Sequence, residues 1–285
     1  QALVEAATSE GAIRRVAGAP VLWKERRVPL LGRWGVGKIV GAALAAGMVI
    51  LTYVLCAREG ILGDEEVQVM YVVLFFGAAL LFTIVLPATC ITSEKESRSW
   101  PILLTTTVTD WGILGGKFLG AVRQCSAAWL PLLIHVGLFA GSGTLHPVIL
   151  LQLGITVMWA AVFLCATGVY FSVRLSRTTT AVIANFSVAA GLWGVIPLLL
   201  VMIVEMLRIR TEMPSAYMDL NPFVHAVAIT TGTVHGAIGR YEWVANDRGE
   251  FGAAMGWIVM TAVLYLSLAG IFLLVARRHL RRRAV

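Results

Sequence analysis

SEKESRSWPILLTTTVTDWGILGGKFL, residues 93–119, is a polar and amphipathic stretch set between two long apolar runs. Thr92 or Ser93 can cap a helix here, and Glu94 and Glu96 fall in its first turn, where carboxylates complement the helix dipole. Pro101 interrupts that helix, while Leu103 and Leu104 supply an apolar face. Thr105, Thr106 and Thr107 have poor helix propensity and read as a turn. Asp110 or Thr109 then caps a second helix that runs through Trp111 and Leu114 to Lys117 and on into the next apolar run. A helix, a turn and a helix between two membrane spans predict a compact knob rather than a slack loop.

The rest of the chain gives that knob its setting. Hydrophobic residues make up 58% of the 285 and charged residues 14%, against about 25% charged in an ordinary soluble domain. A hydrocarbon layer about 30 Å thick takes roughly 20 apolar residues per helix. Six runs qualify: Ile39–Leu55, Val67–Cys90, Phe118–Ala140, Val148–Val173, Thr180–Leu207 and Gly252–Val275. They lack the alternating pattern of a transmembrane barrel, so backbone groups must pair within each segment, as helices. The predicted fold is an all-α polytopic membrane protein with six transmembrane helices. An N-terminal amphipathic interfacial helix precedes them, and a coupling helix lies between spans two and three.

The formal charge of +7 is distributed by topology. With six spans, Arg58, Arg208, Arg210, Arg240 and Arg248 fall on one side, and the other 18 of the 23 Lys and Arg on the opposite side. The positive-inside rule puts both termini in the cytoplasm of a cell (inner or cytoplasmic) membrane protein. The Arg-rich tail reads as an anchor at anionic lipid headgroups, with no nucleic-acid partner. Residues 1–19 read as a cytoplasmic segment or the tail of an upstream part, and 20–285 as one transmembrane domain. Within Pro20–Lys38, the set Trp23, Lys24, Glu25, Arg26 and Arg27 suits a helix lying in the interface, bent or ended by Pro29. On the far side, Ala57–Glu66 and Gly141–Pro147 are short connections. Arg208–Phe251 is the largest piece there, read as a partly re-entrant or surface helix pair.

Chemistry-bearing patterns are sparse. Cys56, Cys90, Cys125 and Cys165 have no paired spacing and read as small buried hydrophobes. Gly32–Lys38 fits the start of a phosphate loop, but Ile39 stands where Ser or Thr should reach magnesium, and no strand precedes it. His135, His146, His225, His235 and His279 lack metal-ligand spacing, with a meeting of His225 and His235 across an external helix pair as the one exception to consider. Glu205 is the carboxylate at membrane depth, paired with Arg208 or Arg210 or touching a substrate. Asn185, Ser187 and Gln152 either line a pathway or join helices by hydrogen bonds. Gly116-x-x-x-Gly120 allows close helix approach but is a common spacing.

The order of residues in 94–117 resembles the coupling region of ABC-2 type transporter permeases. Glu94-Lys95-Glu96 stands for the acidic triplet of that family and Ser99 for its Thr. Leu103-Leu104, Thr106, Trp111, Ile113, Leu114, Gly116 and Lys117 follow in register, with Thr109 in place of Ser. Arg98 departs from the usual Gly, Trp100 from Leu and Thr107 from Pro. Pro20-Val21-Leu22-Trp23-Lys24-Glu25 and Asn221-Pro222-Phe223 resemble the family's motifs before the first and last spans. The resemblance implies the permease half of an ATP-driven exporter, without catalytic residues or bound cofactor of its own. Its partners would be ABC ATPase subunits carrying ATP and Mg2+, a second permease copy or paralogous half, and membrane lipid. It further implies ATPase coupling through Glu94, Glu96, Arg98, Leu103, Leu104, Thr105, Thr106 and Thr107. Lys117 would be a headgroup anchor at the start of span three. The competing reading is an ion- or proton-coupled carrier, or a membrane scaffold, with no ATPase.

Overall fold

The computed structural model describes residues 19–27, 36–208, 211, 213–244 and 249–280. The N-terminal segment before Ala19, Pro29, the first four residues of the phosphate-loop-like stretch, Arg210, Arg248 and the Arg281–Arg283 tail lie outside the described residues. Six helices are long and apolar enough to cross a membrane: Ile39–Arg58, Glu65–Glu96, Asp110–Gly141, Val148–Arg174, Thr178–Leu207 and Phe251–His279. Among the described residues the only strand-like pairing is an isolated antiparallel bridge between Leu145 and Val234. The chain is an all-α multi-pass membrane protein.

Span four, Val148–Arg174, is the axis of the bundle, packed against spans two and six along its length. Around it Trp159 stacks on Tyr265 at 4.4 Å between centroids, and Phe163 meets the same ring edge-on. Gly168 lets span two approach closely, since a Cβ there would lie 2.8 Å from Pro87 Cβ. Span one is the outlier. It is exposed nearly all round and reaches the bundle through Tyr53, which stacks on Tyr71 at 4.3 Å and pairs with His135 Nδ1.

Two spans are broken just before a proline. Pro131 follows a 3-10 turn at Ala127–Trp129, and Pro197 follows a π-helical turn at Gly191–Val195. Lacking an N–H, Pro197 leaves the Trp193 carbonyl four residues back without its helical donor. Asn221 Nδ2 supplies the replacement at 2.7 Å, and Tyr217 Oη donates to the neighbouring Leu192 carbonyl at 3.0 Å. Asn221 also caps the helix Pro222–Thr231 by accepting from Phe223 N at 2.9 Å. Of the two short far-side helices, Met213–Met218 and Pro222–Thr231, the second is buried against spans two and four. Asn221→Ala is expected to leave two backbone groups unpaired and lower stability by about 1–3 kcal/mol, read as a lower melting temperature in detergent.

His225 and His235 lie in different environments. His225 is buried between Trp159 and Trp243, with Nε2 at 3.0 Å from the Asp219 carbonyl, whereas His235 is exposed. No group of three metal-ligating side chains occurs among the described residues.

Candidate functional site: the braced segment after span two

The main helix of span two, Glu65–Thr89, is the part long enough to cross the membrane; the remainder of that stretch, Thr92–Glu96, is the first of two short helices, followed by Trp100–Leu104, before span three begins at Asp110. This segment lies on the cation-rich, basic side of the spans. Thr109 is the cap of span three, its hydroxyl accepting from Gly112 N at 3.1 Å. The first helix is not capped by Thr92 or Ser93 as the sequence suggested. Thr92 Oγ1 donates back to the Ala88 carbonyl instead, and the amides of Ile91 and Thr92 are taken at 2.8 and 2.9 Å by Ser172 Oγ of span four. A local cap is thus replaced by a tertiary one, which binds the segment to the bundle.

The N-terminal helix, Pro20–Arg27, lies across the start of span three. Val21 and Glu25 are four residues apart and sit over Gly116 and Gly120, also four apart. A Cβ on Gly116 would lie 2.9 Å from Val21 Cβ, and one on Gly120 2.7 Å from Glu25 Cβ. The glycine pair passed over as a common spacing is therefore the groove that seats this helix. Seating it brings Glu25 to Lys117, which is 4% exposed and is not the headgroup anchor expected from its place at a span's start. Lys117 Nζ lies 2.7 Å from Glu25 Oε1 and 2.7 Å from Glu94 Oε1, and Lys24 Nζ lies 3.0 Å from the same Glu94 oxygen. Arg123 Nη1 adds a bond to the Glu25 carbonyl at 3.2 Å. Two carboxylates and two ammonium groups balance one another. Burial alone would raise the Glu94 carboxyl, but Lys117 and then Lys24 outweigh it and hold it below the usual carboxylate range.

The other two residues of the triplet go elsewhere. Lys95 Nζ donates to the carbonyls of Ser172 at 2.9 Å, Leu175 at 2.9 Å and Val173, at the end of span four. Glu96 Oε1 accepts from Thr178 N at 2.7 Å, the first amide of span five, and that amide with the Thr178 hydroxyl holds its carboxyl below the usual range. The three side chains thus tie the segment to four partners: the N-terminal helix, span three, span four and span five. Sequence reasoning missed Lys95, Ser172, Thr178 and the glycine groove. The signal available for the groove was the matched four-residue spacing of Val21/Glu25 and Gly116/Gly120.

What remains outward is the knob's far surface. Arg98, Thr105, Thr106 and Thr107 are exposed, Leu103 and Leu104 are half-buried, and Ile102 is 71% exposed. Trp100 is buried, anchoring the knob from beneath. Arg98 has φ 58°, in the left-handed region that favours glycine. This is the position where the resemblance expects Gly. Arg98→Gly is expected to leave stability unchanged or raise it by up to about 1 kcal/mol, and a lower melting temperature would contradict this account of the turn.

The pathway candidates divide. Asn185 is fully buried and saturated: Nδ2 donates to the Ile84 carbonyl at 2.8 Å and the Leu164 carbonyl at 3.3 Å, and Oδ1 accepts from Thr167 at 2.7 Å. It joins spans two, four and five. Gln152 exchanges hydrogen bonds with Tyr241 Oη at 3.0 and 3.1 Å. Ser187 and Glu205 are exposed on span five. No ion pair joins Glu205 to Arg208, which instead ends span five in the left-handed conformation.

Six helices able to cross a membrane, three of them and the N-terminal helix bracing a polar segment on one side, define the class, a multi-pass membrane protein. No family model matches the chain, and no curated protein matches it.

Proposed function

We propose that this chain is the membrane-spanning permease subunit of an ATP-driven transporter of the ABC-2 type, acting as an exporter. The basic side is then cytoplasmic, with both termini there. A separate ATPase subunit, carrying ATP and Mg2+, docks on the knob at Arg98, Ile102, the half-buried Leu103 and Leu104, and Thr105–Thr107. The observation that supports this reading is the division of the segment into two surfaces. Its inner side is fixed by ion pairs and caps to the N-terminal helix and to spans three, four and five. Its outer side presents an exposed cation and an exposed isoleucine with no fold-holding contact to make. A part of that kind moves as a body when pushed and carries its attachments with it. Glu94 and Glu96 contribute by bracing the knob, with Glu96 also accessible at its edge. Span one and the outer half of span five, Ile196–Leu207, leave apolar surface for a second permease copy or lipid.

Affinity purification of the tagged chain from its native membrane in mild detergent tests the reading. A stoichiometric nucleotide-binding subunit with vanadate-sensitive ATPase activity supports it. A preparation that carries no such subunit even after cross-linking refutes it in favour of a carrier or scaffold.

A further inference from the structure

Lys95 has no place in the docking surface proposed above, yet it is the most heavily bonded side chain of the triplet. Its ammonium group holds the carbonyls of Ser172, Val173 and Leu175, at the C-terminal end of span four, where an α-helix leaves acceptors without intrahelical donors. Beside it, the Glu96 carboxylate holds Thr178 N at the start of span five. One residue therefore sets a cation on the negative end of span four, and the next sets an anion on the positive end of span five.

Only Leu175, Ser176 and Arg177 separate those two helices. A connection that short cannot absorb a displacement of either end. Ser172 Oγ binds the same segment from the other side by accepting the amides of Ile91 and Thr92. Thr178 Oγ1 adds a hydrogen bond to Thr92 Oγ1 at 3.1 Å. Span four is the axis against which spans two and six pack, so a shift of its end must be taken up through the bundle.

We propose that Lys95 is a positioning residue that transmits displacement of the knob to the joined ends of spans four and five, making this helix pair the driven element of the transport cycle. The proposal rests on the reading that an ATPase docks on the knob. Glu94, Lys117 and Glu25 hold the opposite side of the segment to span three and the N-terminal helix, so the two sides have separate fixings. Loss of Lys95 removes the three carbonyl contacts on the end of span four and loosens the four–five turn, while Glu94, Lys117 and Glu25 keep the knob seated.

The test is amide hydrogen exchange on the complete complex, nucleotide-free and trapped with ATP and vanadate, followed in peptides covering 97–109 and 171–181. In the wild-type chain both regions respond to trapping. In Lys95→Met the response of 97–109 persists and that of 171–181 falls by about threefold or more, while Lys95→Arg retains both. A merely structural role raises exchange in 171–181 equally in both nucleotide states and leaves their difference intact, and that result overturns the proposal. If Lys95→Met does not accumulate in the membrane, Ser172→Ala is compared in the same way. It removes the acceptor of two amides and leaves the Lys95 contacts to the carbonyls in place, so the response in 171–181 is expected to persist, and its loss there overturns the assignment of transmission to Lys95. Absence of an ATPase from the wild-type complex, or no response of 97–109, refutes the docking reading itself and this inference with it.

Discussion

Lys117→Met is expected to remove most of the folded protein from the membrane fraction, or to lower its melting temperature in detergent on the order of 10 °C. Methionine keeps the length of the side chain and loses its charge. Glu25 Oε1 and Glu94 Oε1 both lie 2.7 Å from Lys117 Nζ, so the substitution leaves two carboxylates aimed at one apolar point. Breaking a buried ion pair by deleting one partner costs about 3–5 kcal/mol, because the remaining charge stays desolvated. Lys24 still reaches Glu94, but it is 65% exposed, and a solvent-screened pair contributes far less. The triple variant Lys117→Met, Glu25→Gln, Glu94→Gln is expected to recover much of the loss, since no uncompensated charge remains. Thermal unfolding followed by fluorescence-detected gel filtration reads both variants. A Lys117→Met protein melting within about 2 °C of wild type would mean that the cluster does not hold the N-terminal helix.

The spans were legible because bilayer thickness and backbone hydrogen bonding leave a long apolar run few alternatives. Their interruptions just before Pro131 and Pro197 were not anticipated from the sequence. What those breaks do was not legible either. The freed Trp193 carbonyl is met by Asn221, 28 residues further along, and local propensity identifies Asn221 only as a cap. The same limit explains Lys117. A lysine at the start of a span ordinarily reaches headgroups, and nothing local says that a helix 92 residues upstream will cover it. That covering depends on two missing Cβ atoms meeting Val21 and Glu25, a match between two segments rather than a property of either. The Glu94-Lys95-Glu96 triplet was legible as a unit, yet its side chains diverge to different spans. Their separate targets depend on where spans three, four and five end in space. The exposed turn at Thr105–Thr107, by contrast, followed from turn chemistry alone.

The pair Arg98→Glu and Ile102→Glu is expected to abolish recovery of the ATPase with the permease while leaving insertion and melting temperature unchanged. Both side chains are exposed, and glutamate at position 98 meets the same left-handed backbone as the arginine it replaces. The fold therefore has little to lose. The interface has much to lose if the knob is the docking surface. An apolar side chain that is exposed in the free subunit and buried in a complex typically contributes as a central anchor, and placing a charge there leaves it desolvated without a partner. Reversing the charge at 98 adds repulsion from whatever acidic groups the arginine would meet. A combined loss of about 3 kcal/mol corresponds to roughly a hundredfold weaker association, enough to empty a pull-down at ordinary protein concentrations. Glu96→Lys is a poorer probe of the same surface, because it also releases the Thr178 amide and disturbs the start of span five. Quantitative co-purification at two salt concentrations separates the parts. In Arg98→Glu alone the deficit should shrink as salt screens the charge, whereas in Ile102→Glu alone it should persist. Full recovery of the ATPase with the double variant at both salts would place the docking surface elsewhere on the basic side.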